Sequence, residues 1–324
     1  MRQTTLTQFI TVAPLAKHQL TEWQRLLRQA FFQRWGYPYK RPRFFLDYIT
    51  NDPHHRVGSI WGLTADGQLA STFQIFSRQL RYKGSAFQLD GLGNIGTLPA
   101  CQRRGYAKAL LQWYLEHKQP RPDIIMLYSS TGTIYKTLGW QPATASEYVL
   151  RKPVLQGLIP HAHRITARPI QIHDLRAVSR IYSLFNRAQA LPHLFRSAAY
   201  WINWIFNFKL KVYGLQGWLV FAQAKPIGYV FLRTKGGRMD IDEYASNPAN
   251  YEQVFQALLQ IFSSSSAQQL NFTRTSPALN HFLKVNSVQF EALAKSDETG
   301  HTLILNPALR ACGANIGLWH MDHF

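Results

Sequence analysis

The chain of 324 residues is 46% hydrophobic and 14% aromatic, so it can bury a sizeable core, and its length suggests two domains. This composition excludes a disordered or fibrous protein. The chain carries 36 Lys or Arg against 17 Asp or Glu, and both halves share the excess: 18 basic and 8 acidic residues up to Leu150, 18 and 9 after it. A formal charge of +19 favours an anionic partner, such as nucleic acid, an acidic membrane or a polyphosphate cofactor, and does not choose among them.

Cysteine usage and hydropathy indicate the compartment. Cys101 and Cys312 are too few and too far apart for a disulfide framework, which is typical of a reducing environment. The short apolar stretch 9–16 is interrupted by Pro14 and is interpreted as mature protein. The most apolar later run, 201–208, is far shorter than the roughly 18 residues that a membrane span needs. We therefore expect a soluble, cytoplasmic protein with no membrane partner.

The first half begins with a predicted helix and a predicted hairpin. Apolar residues at three-to-four spacing predict a helix over 17–33. Two alternating segments, 56–64 and 69–80, are separated by an Asp-Gly turn, which is typical of a β-hairpin. An antiparallel sheet with a helical start follows from this order.

A third strand is predicted over 86–98, and it is unusually rich in glycine. Gly91, Gly93 and Gly96 cost stability in a strand unless they permit a bulge or the close approach of another group. We therefore expect something to lie against this strand.

A basic glycine loop joins this strand to a helix predicted to end near His117. The loop reads Gln102-Arg103-Arg104-Gly105-Tyr106-Ala107. A helix N-terminus offers amide donors and the positive end of the helix dipole, and Gly105 lets a phosphate approach without a Cβ clash. The loop is thus a candidate anion site; the alternative is a solvated helix cap in which Gly105 serves packing alone.

The remainder of the first half predicts a strand, a helix and a last strand. Residues 123–128 predict a short buried strand, and 130–138 predict a helix that ends at Gly139. Residues 148–150 lie within the last strand. Helices and strands of this order predict an α/β (α+β) domain.

Two motifs together resemble the GNAT (GCN5-related) N-acetyltransferases. The run 102–107 is similar to the Q/R-x-x-G-x-G/A pyrophosphate loop of that family. Ile134-Tyr135-Lys136-Thr137-Leu138-Gly139-Trp140 resembles its second hallmark, a helical tyrosine followed by leucine, glycine and an aromatic residue. One helix and one strand separate the motifs, as that fold requires, and the resemblance covers residues 1–152. It implies a mixed, mostly antiparallel sheet flanked by helices.

The resemblance implies that acetyl-CoA, without a metal, binds beside the glycine-rich strand. Ile95, Gly96 and Thr97 would pair with the pantetheine arm like an added strand. Ser130 and Thr131 would present a polar group to the cofactor. The pyrophosphate would be held by backbone amides of Arg103, Arg104, Gly105, Tyr106, Ala107 and Lys108.

Tyr135 is the catalytic residue that the resemblance implies. It would protonate the departing CoA thiolate, a role that contributes about 10²- to 10⁴-fold to rate. For a tyrosine taken alone, a half-buried aromatic with a satisfied hydroxyl is the alternative. A backbone amide of the strand near Thr97 would polarise the thioester oxygen.

Residues 153–164 predict a linker between the halves. The segment is polar and contains Pro153 and Pro160. His161 and His163 could ligate a metal, but no cysteine or carboxylate at ligand spacing accompanies them, which favours a solvated linker.

From residue 165 the order of elements repeats. A strand and a helix precede three predicted strands, and a strongly periodic helix starts at Tyr251. Before that helix the loop lacks glycine and arginine, so 165–310 resembles a degenerate GNAT unit without a CoA site. Two tandem GNAT-like domains, 1–152 and 165–310, are similar to the Eis (enhanced intracellular survival) family, with no length left for the third, sterol-carrier-like domain of that family.

The segment 311–324 is an aromatic-rich tail that is expected to dock on the domain interface. In the Eis family the terminal carboxylate reaches into the first domain as a general base. By that resemblance, the carboxylate of Phe324, or else Asp322 or His320, would lie near Tyr135. The alternative is a tail that packs against the second sheet.

These features favour an acetyl-CoA-dependent N-acetyltransferase that transfers directly to an amine acceptor. Two alternatives stay open: a CoA-responsive protein that has lost catalysis, and a nucleic-acid-binding protein that uses the basic surface. Against the latter, the basic residues are scattered rather than clustered in a stripe. The sequence identifies neither the acceptor nor the oligomeric state.

Overall fold

A computed structural model describes residues 9–35, 43–130, 132–142, 147–152, 165–189, 191–272, 291–293 and 299–312. The α-helices are α1 (Leu20–Trp35), α2 (Phe44–Asn51), α3 (Tyr106–His117), α4 (Thr133–Thr137), α5 (Leu175–Gln189) and α6 (Tyr251–Ser264), and a π-helix spans Tyr200–Leu210. The strands are β1 (Ile10–Pro14), β2 (Ile60–Ala65), β3 (Gln68–Tyr82), β4 (Ser85–Thr97), β5 (Ile124–Ser129), β6 (Gln141–Pro142), β7 (Glu147–Arg151), β8 (Ile165–Pro169), β9 (His193–Leu194), β10 (Gln216–Ala222), β11 (Lys225–Lys235), β12 (Arg238–Ser246), β13 (Gln269–Phe272), β14 (Glu291–Leu293) and β15 (Thr299–Ile304). Short 3-10 turns cover Lys17–Gln19, Pro99–Cys101, Ile172–Asp174, Pro248–Asn250 and Pro307–Cys312.

The strands form two sheets with the same arrangement. The order is β1-β2-β3-β4-β5-β15-β6 in the first sheet and β8-β10-β11-β12-β13-β7-β14 in the second, and β9 pairs with β3 at the side. In each sheet the fourth and fifth strands are parallel, because α3 or α6 crosses over between them, and the other neighbours are antiparallel. The predicted fold class, two mostly antiparallel sheets flanked by helices, is confirmed.

Each half of the chain lends one strand to the other sheet. The predicted last strand of the first half, β7, pairs with β13 and β14 of the second sheet, with Leu150 opposite Leu270. In return β15 lies between β5 and β6 of the first sheet, with His301 opposite Leu127. The proposed domains 1–152 and 165–310 therefore exchange strands, while the linker 153–164 lies outside the described residues.

Helices cover both faces of the first sheet. Phe73 and Phe76, at odd and even positions of β3, point to opposite faces. Phe73 packs edge-on against Tyr114 of α3, and Phe76 packs edge-on against Tyr48 of α2. Helix α1 lies on the same face as α2, since Trp23 contacts Phe45.

The π-helix of the second half packs on α2 and β3. Tyr48 lies 4.8 Å from Phe208 and 5.6 Å from Trp204, measured between ring centroids. Beside these rings Arg78 and Asp52 form a buried ion pair at 3.0 Å. This pair lies within the first half, and the Arg78 guanidinium stacks over the second-half rings of Tyr200 and Trp204 at 5.3 and 5.2 Å. Apolar and cation–π packing thus hold the two halves together. No helix in the described ranges has the length and apolar character to cross a bilayer.

Candidate active site

The two central strands of the first sheet part at one end. β4 pairs with β5 over four residues, the last of which is Leu92 opposite Leu127. Beyond this point β4 runs to Thr97 with β3 as its partner, and β5 runs to Ser129 with β15 as its partner. The facing edges have no ladder partner across the gap among the described residues, so an extended ligand can pair with the β4 edge.

A β-bulge bends β4 at this point. Asn94 and Ile95 together lie opposite the single residue Phe73 of β3. Asn94 has a φ of +51°, a conformation that Asn adopts more readily than most residues. Its side-chain amide nitrogen, Nδ2, donates to Oε1 of Gln74 at 2.8 Å. A bulge takes backbone groups out of the ladder and increases the local twist. The bulge thus lies at Asn94 and Ile95, two to three residues before Thr97.

The glycine-rich strand carries helix α1 directly against it. A Cβ atom on Gly96 would lie 2.9 Å from Cδ2 of Leu27 and 3.2 Å from Cδ2 of Leu26. Both contacts are shorter than ordinary packing allows, so a side chain at this position would require the side chains of Leu26 and Leu27 to move. The expectation that something lies against this strand is confirmed at Gly96.

Helix α3 begins at an exposed glycine corner, which consists of residues 102–108. Gly105 caps the helix with a φ of +81°, and the first helical hydrogen bond runs from the amide of Ala109 to its carbonyl oxygen. The amides of the first turn therefore have no acceptor within the helix. Arg103 and Arg104 are exposed beside them, and a Cβ on Gly105 would meet no atom within 4 Å. The corner can accept a phosphate in its open space.

Tyr135 is buried beside the end of β5. It is 6% exposed, and its hydroxyl forms a hydrogen bond with the side chain of Ser129, the last residue of that strand. Burial raises the pKa of Tyr135, and the bond to Ser129 offsets part of that rise. The hydroxyl is therefore protonated at neutral pH and able to act as an acid.

A histidine from the second half lies against Tyr135. His301 of β15 is 2% exposed, and its ring centroid is 5.2 Å from that of Tyr135. This neighbour was not predicted, because β15 is nearly 170 residues away along the chain and the alternation of a strand does not indicate which sheet it joins.

The predicted binding residues lie around the gap between β4 and β5. Ile95, Gly96 and Thr97 form the free edge of β4. On the corner, four residues are exposed, namely Arg103, Arg104, Gly105 and Lys108, while Ala107 is half-buried and Tyr106 is buried. Ser130 is exposed, and the neighbouring Ser129, which was not predicted, contacts Tyr135. Thr131 and Phe324, together with Asp322 and His320, lie outside the described residues.

The second sheet has no such corner in the equivalent place. Between β12 and α6 the chain reads Asn247-Pro248-Ala249-Asn250, without glycine or arginine. Helix α6 follows a 3-10 turn, and its N-cap residue, Asn250, has a φ of −124°, in contrast to +81° at Gly105. The described part of the second half thus keeps the strand order without a phosphate corner.

The fold and this site define a class of protein. Residues 11–143 match the family model described as an acetyltransferase (GNAT) domain. The chain therefore contains a GNAT acetyltransferase domain, as its two motifs predicted. No curated protein sequence matches the chain.

Solved structures share the fold over nearly the whole chain. A GCN5-related N-acetyltransferase from Anabaena variabilis superposes with a TM-score of 0.68 and 18% identity, over 92% of this chain and 73% of its own. A probable N-acyltransferase from Enterococcus faecalis gives 0.67 and 18% over the same shares. Eis1 from Mycobacterium abscessus gives 0.62 and 17%, over 94% of this chain and 75% of its own. The likeness extends beyond the matched domain to the second sheet, so the two-sheet architecture is that of these GNAT proteins.

Proposed function

We propose that the chain is an acetyl-CoA-dependent N-acetyltransferase that transfers the acetyl group directly to an amine. The observation that carries this proposal is the gap between β4 and β5. β4 leads through Thr97 into the basic glycine corner, and β5 ends at Ser129, which bonds the hydroxyl of Tyr135. This order suits acetyl-CoA. The β4 edge can pair with the pantetheine arm, the glycine corner can hold the pyrophosphate, and Tyr135 can act as an acid at the thioester.

The residues around the gap fit that ligand. The first turn of α3 supplies amide donors, Arg103 and Arg104 add positive charge, and the segment 99–108 contains no acidic residue. The β4 edge from Ile95 to Thr97 offers amide and carbonyl groups at strand spacing to the two amides of a pantetheine arm.

The chemistry requires two groups near the thioester. An amide of the bulge, at Asn94 or Ile95, would stabilise the oxyanion that forms as the amine attacks. Tyr135 would give its proton to the sulfur that leaves, and burial keeps that proton in place until it is needed. The acceptor amine enters from the open side of the gap.

Thiol release tests this proposal. The protein is incubated with acetyl-CoA and a panel of primary amines and peptides with free N-termini, and free CoA is measured with a thiol reagent. We expect amine-dependent release and a rise in melting temperature with acetyl-CoA alone. Stabilisation without release under any amine would favour a silent CoA-responsive protein, and neither effect would end the proposal.

Gly105→Ala should weaken acetyl-CoA binding. A Cβ at this position would project into the open space of the corner, where the pyrophosphate is proposed to lie. Gly84 is the matched control, because its φ of +82° is almost the same and a Cβ there also meets nothing. Both variants should lose about 1 kcal/mol of stability from left-handed strain. Titration calorimetry should show at least a tenfold higher Kd for Gly105→Ala alone; equal Kd values would remove the corner from the proposed site.

The base that takes the proton of the amine is proposed, by family resemblance, to be the carboxylate of Phe324. Deleting Phe324 should then lower kcat by roughly 10²-fold, the scale of a general base, and leave the Kd for acetyl-CoA unchanged. Steady-state kinetics with the best amine of the panel measures this. Turnover at the level of the intact chain would exclude the role.

A further inference from the structure

His301 combines burial with a lack of hydrogen-bond partners. The side chain is 2% exposed, and neither ring nitrogen has a partner among the described residues. Its ring centroid lies 5.2 Å from that of Tyr135 at an interplanar angle of 39°, and a Cβ at Gly132 would lie only 3.3 Å from Cε1 of His301. Buried polar atoms without partners are rare and destabilising, and they are retained where function uses them.

A second unpartnered donor lies next to the same tyrosine. Trp140 is 2% exposed, its indole Nε1 has no partner among the described residues, and its ring centroid is 6.3 Å from that of Tyr135. Two polar side chains without partners around one buried tyrosine indicate that a water molecule or a polar ligand atom completes this site.

His301 is neutral in these surroundings. Burial lowers its pKa, and the nearby charge of Lys136 lowers it further. The titratable side chains that face it from α4 are Tyr135 and Lys136, whereas its strand partners Leu127 and Pro142 carry no charge. A neutral imidazole has one N–H donor and one free nitrogen acceptor, which is the form that can accept one proton and release another.

We propose that His301 is a positioning residue for Tyr135 that returns a proton to its hydroxyl after each turnover. This rests on the proposed acetyl transfer. In that reaction the C–S bond breaks, a C–N bond forms, the proton of Tyr135 goes to the CoA sulfur, and the amine loses one proton. The cycle closes when that proton reaches the Tyr135 oxygen. His301 accepts it at the free nitrogen, by way of water or the base that first received it, and releases the other ring proton to the Tyr135 oxygen through a bridging water, since neither ring nitrogen has a direct partner among the described residues. Proton exchange with water then restores the first tautomer of the imidazole before the next turnover.

Two variants separate this role from packing. His301→Phe keeps the ring against Tyr135 and removes both nitrogens, whereas His301→Gln keeps hydrogen bonding and cannot relay a proton. Both should lower kcat by about 10²-fold with the most rapidly acetylated amine of the panel and leave the Kd for acetyl-CoA unchanged. The melting temperature of His301→Phe should equal or exceed that of the unmodified protein, since two unpartnered buried atoms are removed.

The pH profile supplies a readout that packing would not change. The ratio of kcat for the unmodified protein to kcat for His301→Gln cancels the titration of the amine. We expect this ratio to fall toward one as the pH drops through a value below the ordinary 6.5 of histidine, because protonated His301 has no free nitrogen.

The outcomes distinguish the two proposals. A fully active His301→Gln, a ratio independent of pH, or a kcat loss in His301→Phe accompanied by a lower melting temperature would overturn the role of His301 alone. An unmodified protein that releases no thiol with any amine would overturn the proposed function and this inference with it.

Discussion

Tyr135→Phe should lower kcat by about 10²- to 10⁴-fold without changing the Kd for acetyl-CoA. The phenyl ring keeps the contacts with Trp140 and His301, so the pocket retains its shape and loses only the acid. The CoA thiolate would then leave unprotonated, which raises the barrier of the chemical step alone. Single-turnover kinetics with saturating acetyl-CoA measures that step directly.

Tyr114→Phe is the matched control. Tyr114 is also a buried tyrosine of the first domain, and its hydroxyl donates to Oδ2 of Asp90 at 2.8 Å. Its loss should reduce stability by about 1–3 kcal/mol, because a buried carboxylate loses a partner, and should leave kcat close to that of the unmodified protein. If both variants lost activity equally, the effect of Tyr135 would be structural.

The pH dependence of kcat provides a further check on Tyr135. Because burial raises its pKa above the usual 10.0, the hydroxyl keeps its proton to higher pH than a free tyrosine would. kcat should therefore show no decline from tyrosine ionisation up to about pH 10. A decline in Tyr135→Phe as well as in the unmodified protein would identify another group as its source.

Much of the first domain was predictable from local patterns. The alternating segments, the Asp-Gly turn and the glycine corner each depend on residues close in sequence, and the structure places them where the spacing indicated. Strand β1 and helix α2 were not predicted, since five and eight residues are too few for a clear period. Contacts with the rest of the fold, such as Phe45 with Trp23 of α1 and Tyr48 with Phe76 of β3, stabilise α2 instead.

The part of the site that depends on long-range pairing could not be predicted. The alternation of a strand indicates which face is buried but not which sheet the strand joins. Sequence patterns therefore place β7 in the sheet of the first half and give β15 no place in that sheet, whereas the structure shows the reverse for both strands. The contact between His301 and Tyr135 exists only through that exchange. Ser129 was not predicted, because the family resemblance points to the two residues after it, Ser130 and Thr131.

The largest expected loss of stability lies in the second half, at Arg196. Its guanidinium donates to both carboxylate oxygens of Glu243, at 2.9 and 2.6 Å, and both side chains are fully buried. The rings of Tyr182 and Trp201 cover the guanidinium at 4.2 and 4.8 Å, and Tyr229 also donates to Glu243. Arg196→Met should cost about 3–5 kcal/mol, because it leaves a buried carboxylate without its cation.

Arg168→Met is the control for this prediction, since Arg168 makes a similar two-bond pair with Asp174 at 2.7 Å but its side chain is 43% exposed. Its loss should cost no more than about 1 kcal/mol, and Glu243→Gln added to Arg196→Met should recover part of the larger loss.

Denaturant titration followed by fluorescence and by thiol release compares the variants. Because β15 places a strand of the second half beside the proposed active site, activity should disappear at the same denaturant concentration as the fold. Activity that persists after the second sheet has unfolded would contradict the exchange of strands as a functional link.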